Sequence, residues 1–270
     1  MNETSSTVDS IITKIKYEDT LTDYVNELSA RSKQSMKQEF ADLRKFSLET
    51  VEKAGIFYVG DAAEMLIPSY LDVIGDLGVI SPTNKKPIFH DRYIIPIKTP
   101  DGKVQNLVGY NKYADERYIY GTSKYYRRRD TFYGLENLNI AYQEGYAIVT
   151  EGITDAIMMR NLGYPMTFGW CGTHKSEFMV QQLNRCKHGV LKVPDRDAPG
   201  ARAAKGWNFN RSVTLNVNIR YKDVDEMCHN EEHLQENREL VKAYADSCID
   251  WLKQSTHDGN KGILEAVTIL

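Results

Sequence analysis

Hydrophobic positions recur at helical spacing in the first part of the chain. Between positions 8 and 45, apolar residues recur at mixed spacings of three and four, and they include Ile11, Ile12, Ile15, Leu21, Tyr24, Val25 and Leu28. Residues 30–45 are strongly charged and contain neither Gly nor Pro. We therefore expect a helical N-terminal extension over residues 1–45.

The pattern then changes from a short helix to extended runs. Ser47 is a suitable N-cap for a helix that ends at Gly55, and a short strand is predicted over residues 56–59. Two longer apolar runs flank Thr99–Lys103, whose Pro, Asp and Gly suit a hairpin turn. Residues 46–142 are expected to form a mixed α+β subdomain.

Short apolar runs alternate with helical patterns in the next part. The runs cover residues 147–150, 166–170, 189–193 and 217–221. This alternation predicts an α/β fold with a parallel sheet of about four strands flanked by helices, over residues 143–228. A helical segment and a loose tail are expected over 229–270. The apolar face of the helical segment predicts that this helix packs on the core. The alternative is that this face is a docking surface for a partner.

Charge and cysteine content narrow the class of protein. The chain of 270 residues has 34 Lys and Arg against 37 Asp and Glu, a net charge of −3, so nucleic-acid binding would need a local basic patch. No run is long and apolar enough to cross a membrane, and no signal peptide is expected. The four cysteines form no Cys-x-x-Cys pair, which predicts a reduced, cytoplasmic protein without zinc. Cys228, His229 and His233 are a weaker zinc alternative.

A basic and aromatic segment lies between residues 112 and 134. Its cations are Lys112, Arg117, Lys124, Arg127, Arg128 and Arg129, and its rings are Tyr113, Tyr118, Tyr120, Tyr125, Tyr126, Phe132 and Tyr133. Cations bind phosphates and rings stack on bases, so this mixture favours single-stranded nucleic acid or nucleotides. The alternative is a solvated turn whose tyrosines pack on the core. Arg92, in the preceding apolar strand, is either a further binding residue or an outward-facing edge arginine.

Carboxylates follow three of the four predicted parallel strands. They are Glu151, Asp155, Asp195, Asp197, Asp223 and Asp225. Ligands collect at the carboxyl ends of parallel strands, so these side chains should converge at one sheet edge. Two such charges about 4 Å apart repel by about 4 kcal/mol at an effective dielectric near 20. A divalent cation would relieve this repulsion, and oxygen ligands without His or Cys point to Mg²⁺ or Mn²⁺.

These motifs resemble a known domain. Glu151-Gly-x-x-Asp155 and Asp195-x-Asp197 are similar to the Toprim domain of bacterial-type primases, type IA and type II topoisomerases and some nucleases. Residues upstream of these motifs make the resemblance more specific, because they are similar to the catalytic core of DnaG-type primases. The resemblance covers about residues 47–228. The upstream segments that carry it are Asp91-Arg92-Tyr93-Ile94-Ile95-Pro96-Ile97, Arg117-Tyr118 and Tyr133-Gly134-Leu135. The Gly-Gly-Arg of that family is Gly109-Tyr110-Asn111 here, with Lys112 as the candidate substitute for the missing arginine.

The resemblance implies a DNA primase, which joins ribonucleoside triphosphates into short RNA primers on single-stranded DNA during DNA replication. Glu151, Asp195 and Asp197 would be catalytic, and all six carboxylates would hold Mg²⁺ or Mn²⁺. Nucleotide and template would bind to the cations, which are Arg92, Lys112, Arg117, Lys124, Arg127, Arg128 and Arg129. Two alternatives stay open: a Toprim nuclease, and a non-catalytic primase-like DNA-binding subunit.

Primases of this type carry a zinc ribbon and a helicase-binding domain, and neither is recognised in this sequence. The expectation is a catalytic core that works with a replicative helicase or a separate zinc-ribbon protein. It would act in the bacterial cytoplasm, or in the host cytoplasm if the chain is viral.

Overall fold

The computed structural model describes residues 2–126, 132–171, 176–197, 200, 206–257 and 266–270. Two compact units form: residues 1–43 with 47–131, and residues 44–46 with 132–270. Within the described ranges, no helix has the length and apolar character that crossing a bilayer requires. The expected division into four parts stays a prediction.

The first unit packs helices on a four-stranded sheet. Its α-helices are α1 Asn2–Arg31, α2 Gln34–Arg44 (whose last residue belongs to the second unit) and α3 Leu48–Ala54, with 3-10 helices at Ala62–Met65 and Pro68–Tyr70. Its strands are β1 Phe57–Val59, β2 Arg92–Lys98, β3 Val104–Tyr110 and β4 Tyr118–Tyr120. They are antiparallel in the order β1-β2-β3-β4.

The local signals in this unit act as predicted. The Ser47 side chain accepts from the Thr50 N–H, and Gly55 ends α3 in the left-handed region with φ of +72°. Between β2 and β3, the Thr99 N–H donates to the Lys103 carbonyl at 2.8 Å. Gly102 has φ of +86° in this turn. The predicted helix and hairpin are confirmed.

Helix α1 changes character along its length. Ile11, Ile12 and Ile15 are exposed, whereas Leu21 and Tyr24 are fully buried. The Tyr24 hydroxyl donates to the Met65 carbonyl at 2.9 Å, so this buried polar group has a hydrogen-bond partner. The predicted helical pattern is confirmed, and its second half belongs to the hydrophobic core of the first unit.

The second unit is a six-stranded sheet with helices. Its helices are α4 Leu138–Glu144, α5 Ile153–Asn161, α6 Glu177–Leu183, α7 Val224–His229 and α8 Leu234–His257, with 3-10 helices at Leu135–Asn137 and Glu231–His233. Its strands are β5 Phe132–Tyr133, β6 Tyr146–Thr150, β7 Thr167–Trp170, β8 Gly189–Val193, β9 Ser212–Asn216 and β10 Ala266–Thr268.

The strand order is β10-β9-β8-β6-β7-β5, and all neighbours are parallel except β5, which is antiparallel to β7. Every residue of β6 and β7 is buried, as expected for parallel strands covered on both faces. The predicted α/β class with a parallel sheet is confirmed. The sheet is wider than predicted because β5 and β10 extend its two edges.

The predicted fourth strand, residues 217–221, was wrong in position. Strand β9 runs over Ser212–Asn216, where Val213 and Leu215 are buried and their neighbours are half-exposed. This period-2 alternation is the signature of a strand, whereas the Asn218 side chain accepts from the Arg220 N–H in a turn. Ile219 made the later stretch look apolar, but it is 78% exposed.

The expected loose tail was also wrong at its end. Residues 266–268 pair in parallel with Thr214–Asn216 of β9. The next residue, Ile269, is buried and its N–H donates to the Asn216 carbonyl at 2.9 Å. A single buried side chain and a short ladder therefore fix a segment that has no strong periodicity of its own.

The packing of α1 predicts that Leu21→Ala lowers the free energy of unfolding of the first unit by about 2–5 kcal/mol, because it leaves a cavity among fully buried side chains. Chemical denaturation followed by circular dichroism measures the loss. Ile12→Ala on the exposed part of the same helix is the control, with an expected change under about 0.5 kcal/mol. Equal effects at the two positions would contradict the assignment of Leu21 to the core.

Candidate metal centre

Three loops meet at the carboxyl edge of the second unit's sheet. Glu151 follows β6, Asp195 follows β8, and Asp223 follows the turn after β9. Because β8 lies between β6 and β9 and all three strands are parallel, their carboxyl ends are adjacent. Sheet topology thus gathers carboxylates that are far apart in sequence.

A triad of carboxylates forms the centre of this edge. One carboxylate oxygen from each of Asp155, Asp195 and Asp223 lies within 4.8 Å of the other two. Asp155 comes from the first turn of α5, and Asp223 is the N-cap of α7, where it accepts from the Glu226 N–H at 2.7 Å. Asp155 and Asp195 are buried, which strengthens their mutual repulsion.

Asp155 is the most deeply buried acid of the triad. Burial, followed by the nearby Asp223 and Asp195 carboxylates, raises its pKa well above the ordinary value. Its Oδ1 accepts a hydrogen bond from the Asp225 N–H at 3.1 Å. A proton or a cation is needed to hold this group among other carboxylates.

Glu151 lies beside the triad. Burial, and then the Asp195 and Asp197 carboxylates, raise its pKa to about 7. Its Oε2 is buried and has no hydrogen-bond partner among the described residues. A Cβ on Gly200 would lie 2.8 Å from this oxygen and 2.5 Å from the Asp195 carbonyl, so the site needs glycine there.

Asp197 is more open to solvent than the triad, with its side chain 39% exposed. Its Oδ1 accepts from the Gly200 N–H at 2.7 Å. Its charge contributes to the raised pKa of Glu151, so it faces the same site. Glu151 and Asp197 therefore flank the triad on the side of Asp195.

Asp225 has a different environment from the other five acids. Its carboxylate forms a buried ion pair with Arg44, and its main-chain N–H donates to Asp155 Oδ1. Two residues apart at the start of a helix, Asp223 and Asp225 lie on different faces. The structure thus brings Asp223 to the triad and places Asp225 as the counter-ion of Arg44.

Two cations of this centre were missed by the sequence analysis. Lys222 Nζ lies 2.9 Å from Asp195 Oδ2, and its position next to Asp223 could have suggested this. Arg44 pairs with Asp225 across most of the chain length, and no local pattern signals that contact.

The predicted basic residues that are described belong to the first unit. Arg92 is buried and its guanidinium donates to the main-chain carbonyls of Glu116 at 2.9 Å and Arg117 at 3.4 Å. The Arg117 and Lys112 side chains are exposed, and Lys124 pairs with Asp76 at 2.9 Å. The predicted Arg127, Arg128 and Arg129 lie outside the described residues.

The rings of this segment divide between core and surface. Tyr126, Phe132 and Tyr133 are buried, as the packing alternative expected. Tyr113 is 84% exposed, beside Lys112, and is available for stacking. The segment is therefore partly structural.

The chemistry of the donor set fits a hard divalent cation. The triad and the flanking groups offer carboxylate oxygens, and one of them, Glu151 Oε2, is a buried acceptor without a donor in the part of the chain that the structure describes. Such sets suit Mg²⁺ or Mn²⁺.

Comparisons with known proteins agree with this architecture. No family model matches the chain. It is 25% identical over 233 residues to the DNA primase of Thermotoga maritima, covering 80% of this chain and 40% of that protein. It is similar to a DnaG primase catalytic domain bound to single-stranded DNA, with a TM-score of 0.70, 18% identity, and coverage of 90% of this chain and 83% of the other. The Aquifex aeolicus primase, in its zinc-binding and RNA polymerase domains, is also similar, with a TM-score of 0.66, 19% identity, and coverage of 92% and 72%.

The resemblance to the DnaG primase catalytic core is confirmed by these likenesses, and the chain has the fold of that core. The chain spans about two-fifths of the length of the curated relative.

The raised pKa of Glu151 predicts a pH dependence of stability in the metal-free protein. In the folded protein the pKa of Glu151 is about 7, against 4.5 in the unfolded chain. The protonated carboxyl group therefore contributes to the stability of the fold fully below pH 4.5, and this contribution is lost as the pH rises through about 7. Glu151→Gln cannot ionise and should gain stability relative to wild type across this window. Thermal denaturation in EDTA measures it, with the exposed Glu144→Gln as control. Parallel pH profiles for wild type and Glu151→Gln would refute the assignment.

The buried ion pair predicts a large loss of stability for Arg44→Met. The substitution leaves the Asp225 carboxylate buried without its cation, which should cost about 3–5 kcal/mol in the free energy of unfolding. Adding Asp225→Asn should recover part of that loss. The neighbouring Lys45→Met removes an exposed pair with Glu231 and should leave stability near wild type. Urea denaturation compares the three variants, and a stable Arg44→Met protein would show that the pair is dispensable.

Proposed function

We propose that this chain is the catalytic core of a DNA primase, which synthesises short RNA primers on single-stranded DNA by metal-dependent nucleotidyl transfer. The observation that carries the proposal is the Asp155, Asp195 and Asp223 triad at the carboxyl edge of a sheet with the primase fold. The similarity extends through the first unit, which a nuclease sharing only the Toprim sheet would not need.

Nucleotidyl transfer requires alignment of a 3′-hydroxyl with an α-phosphate and neutralisation of phosphate charge. Asp155, Asp195 and Asp223 would hold Mg²⁺ or Mn²⁺, with Glu151 and Asp197 as flanking ligands. The bound cation would neutralise phosphate charge and make the hydroxyl more acidic. In this proposal Asp225 acts through Arg44 and through its N–H to Asp155, and positions the triad.

Glu151 is the best candidate for moving a proton. As a base rather than a ligand, Glu151 would accept the proton of the attacking hydroxyl, and in the protein without metal, burial raises its pKa to about 7. Its buried Oε2 is the atom that would take the proton. Burial, and then the charges of Asp195 and Asp197, raise the pKa of this carboxyl group.

Template and triphosphate would bind to the exposed cations of the first unit. Lys112 and Arg117 are exposed, and Tyr113 offers a ring for base stacking. Arg92 is instead assigned a positioning role, since its guanidinium fastens the loop before β4. The binding role of Arg127, Arg128 and Arg129 stays a prediction, as does that of Lys124.

Under this proposal, the chain binds single-stranded DNA and ribonucleoside triphosphates. The similar DnaG domain was solved bound to single-stranded DNA. A replicative helicase or a zinc-ribbon protein as a further partner follows from the resemblance alone.

Primer synthesis on mixed-sequence single-stranded DNA tests the proposal, with four ribonucleotides and with Mg²⁺ and Mn²⁺ supplied separately. Wild type should make short products, and Asp195→Asn should reduce them by at least a hundredfold, because it removes a charge from the triad. Asp250→Asn on α8, an exposed position, is the matched control and should remain active.

Unchanged synthesis by Asp195→Asn would exclude the triad as the catalytic centre. Metal-dependent cleavage of the template without primers would replace the proposal with a nuclease. Metal-dependent binding of DNA without either reaction would favour a binding subunit.

A further inference from the structure

Lys222 occupies a fixed position between two of the loops that carry carboxylates. Its main-chain N–H donates to Glu226 Oε2 at 2.6 Å, and its carbonyl accepts from the Arg196 N–H at 2.6 Å. Arg196 in turn donates from its guanidinium to the Val217 carbonyl at 3.0 Å. The backbone of Lys222 is therefore held from both sides, and the loop after β8 is tied to the turn after β9.

The ammonium group of Lys222 lies on the carboxylates themselves. Its Nζ is 2.9 Å from Asp195 Oδ2 and 3.8 Å from Asp197 Oδ2. A lysine ammonium group beside two carboxylates is a cation at neutral pH. The side chain stays 53% exposed, which leaves it a route to solvent.

We propose that Lys222 is a built-in substitute cation of the acidic centre, which neutralises Asp195 when no divalent metal is bound and is displaced from it when the metal binds. The inference rests on the proposed function, because it takes the triad as the metal site. It assigns a role to a residue outside the predicted ligand set.

Charge and geometry support this competition. An ammonium group at hydrogen-bond distance from Asp195 Oδ2 competes with a divalent ion for the negative charge of that carboxylate. A second positive charge within a few ångströms also repels the metal. The long flexible lysine side chain can withdraw without any change in the fixed backbone, because the backbone bonds do not involve Nζ.

The displaced ammonium group would stay close to the acidic centre, because the backbone of Lys222 is fixed beside it. Phosphate groups of an incoming triphosphate carry the charge that a displaced lysine would bind there. Lys222 would then serve the site twice, as a place-holder before metal binding and as a phosphate contact afterwards.

Direct metal titration tests the inference without any activity assay. Mn²⁺ binding is followed by loss of the free-ion electron paramagnetic resonance signal, at a fixed alkaline pH where carboxylates are ionised. Lys222→Met should bind Mn²⁺ roughly tenfold more tightly than wild type, because the competing cation is gone. Lys222→Gln is a second variant in case the first folds poorly, and Lys222→Arg should stay close to wild type.

Two controls locate the effect. Lys53→Met removes a positive charge from an exposed pair with Glu49 in the first unit and should not change Mn²⁺ affinity. Asp195→Asn should weaken Mn²⁺ binding in both backgrounds. The rise in melting temperature on adding Mg²⁺ should be larger for Lys222→Met than for wild type, since tighter binding to the folded state stabilises it more.

The outcomes separate the inference from the proposed function. Mn²⁺ affinity that is unchanged or weaker in both Lys222→Met and Lys222→Gln overturns the substitute-cation role and leaves the metal centre intact. Absence of Mn²⁺ binding in wild type and variants overturns the metal centre, and with it the proposed chemistry.

Discussion

Mutual repulsion among carboxylates is the constraint on which the second unit depends. Asp155, Asp195 and Asp223 stand within 4.8 Å of one another, and burial makes that proximity costly. Two ion pairs limit this cost, Lys222 with Asp195 and Arg44 with Asp225, and burial raises the pKa values of Asp155 and Asp195. The charges that repel one another here are those that a divalent cation would neutralise.

The rest of the unit keeps these groups in place. Parallel strands buried on both faces fix the positions at which the three acidic loops begin. Hydrogen bonds between segments then hold individual side chains, and one of them joins the Asp225 N–H to Asp155 Oδ1. Gly200 lets the chain approach Glu151 and Asp195 more closely than a side chain would permit. Rigid support is what allows a few charged groups to be held within a few ångströms of one another.

The first unit combines structure and candidate binding in one segment. Tyr126 is buried, whereas Tyr113 projects into solvent beside Lys112. Arg92, which has the charge of a phosphate-binding group, is used to hold main-chain carbonyls instead. Residue type alone could not separate these roles, because burial decides whether a ring or a guanidinium is free to meet a ligand.

Local patterns along the chain were enough to predict the class of fold and the location of the acidic edge. Period-2 and helical patterns, the Ser47 and Gly55 caps and the Thr99–Lys103 turn are local signals, and local sterics and hydrogen bonding are enough to produce them. Which acids meet depended on contacts made in the folded chain. It turned Asp225 towards Arg44, brought Lys222 onto Asp195, placed β9 five residues earlier than predicted and added β10 to the sheet edge. Those outcomes depend on contacts between residues distant in sequence, where burial and charge pairing outweigh local preference.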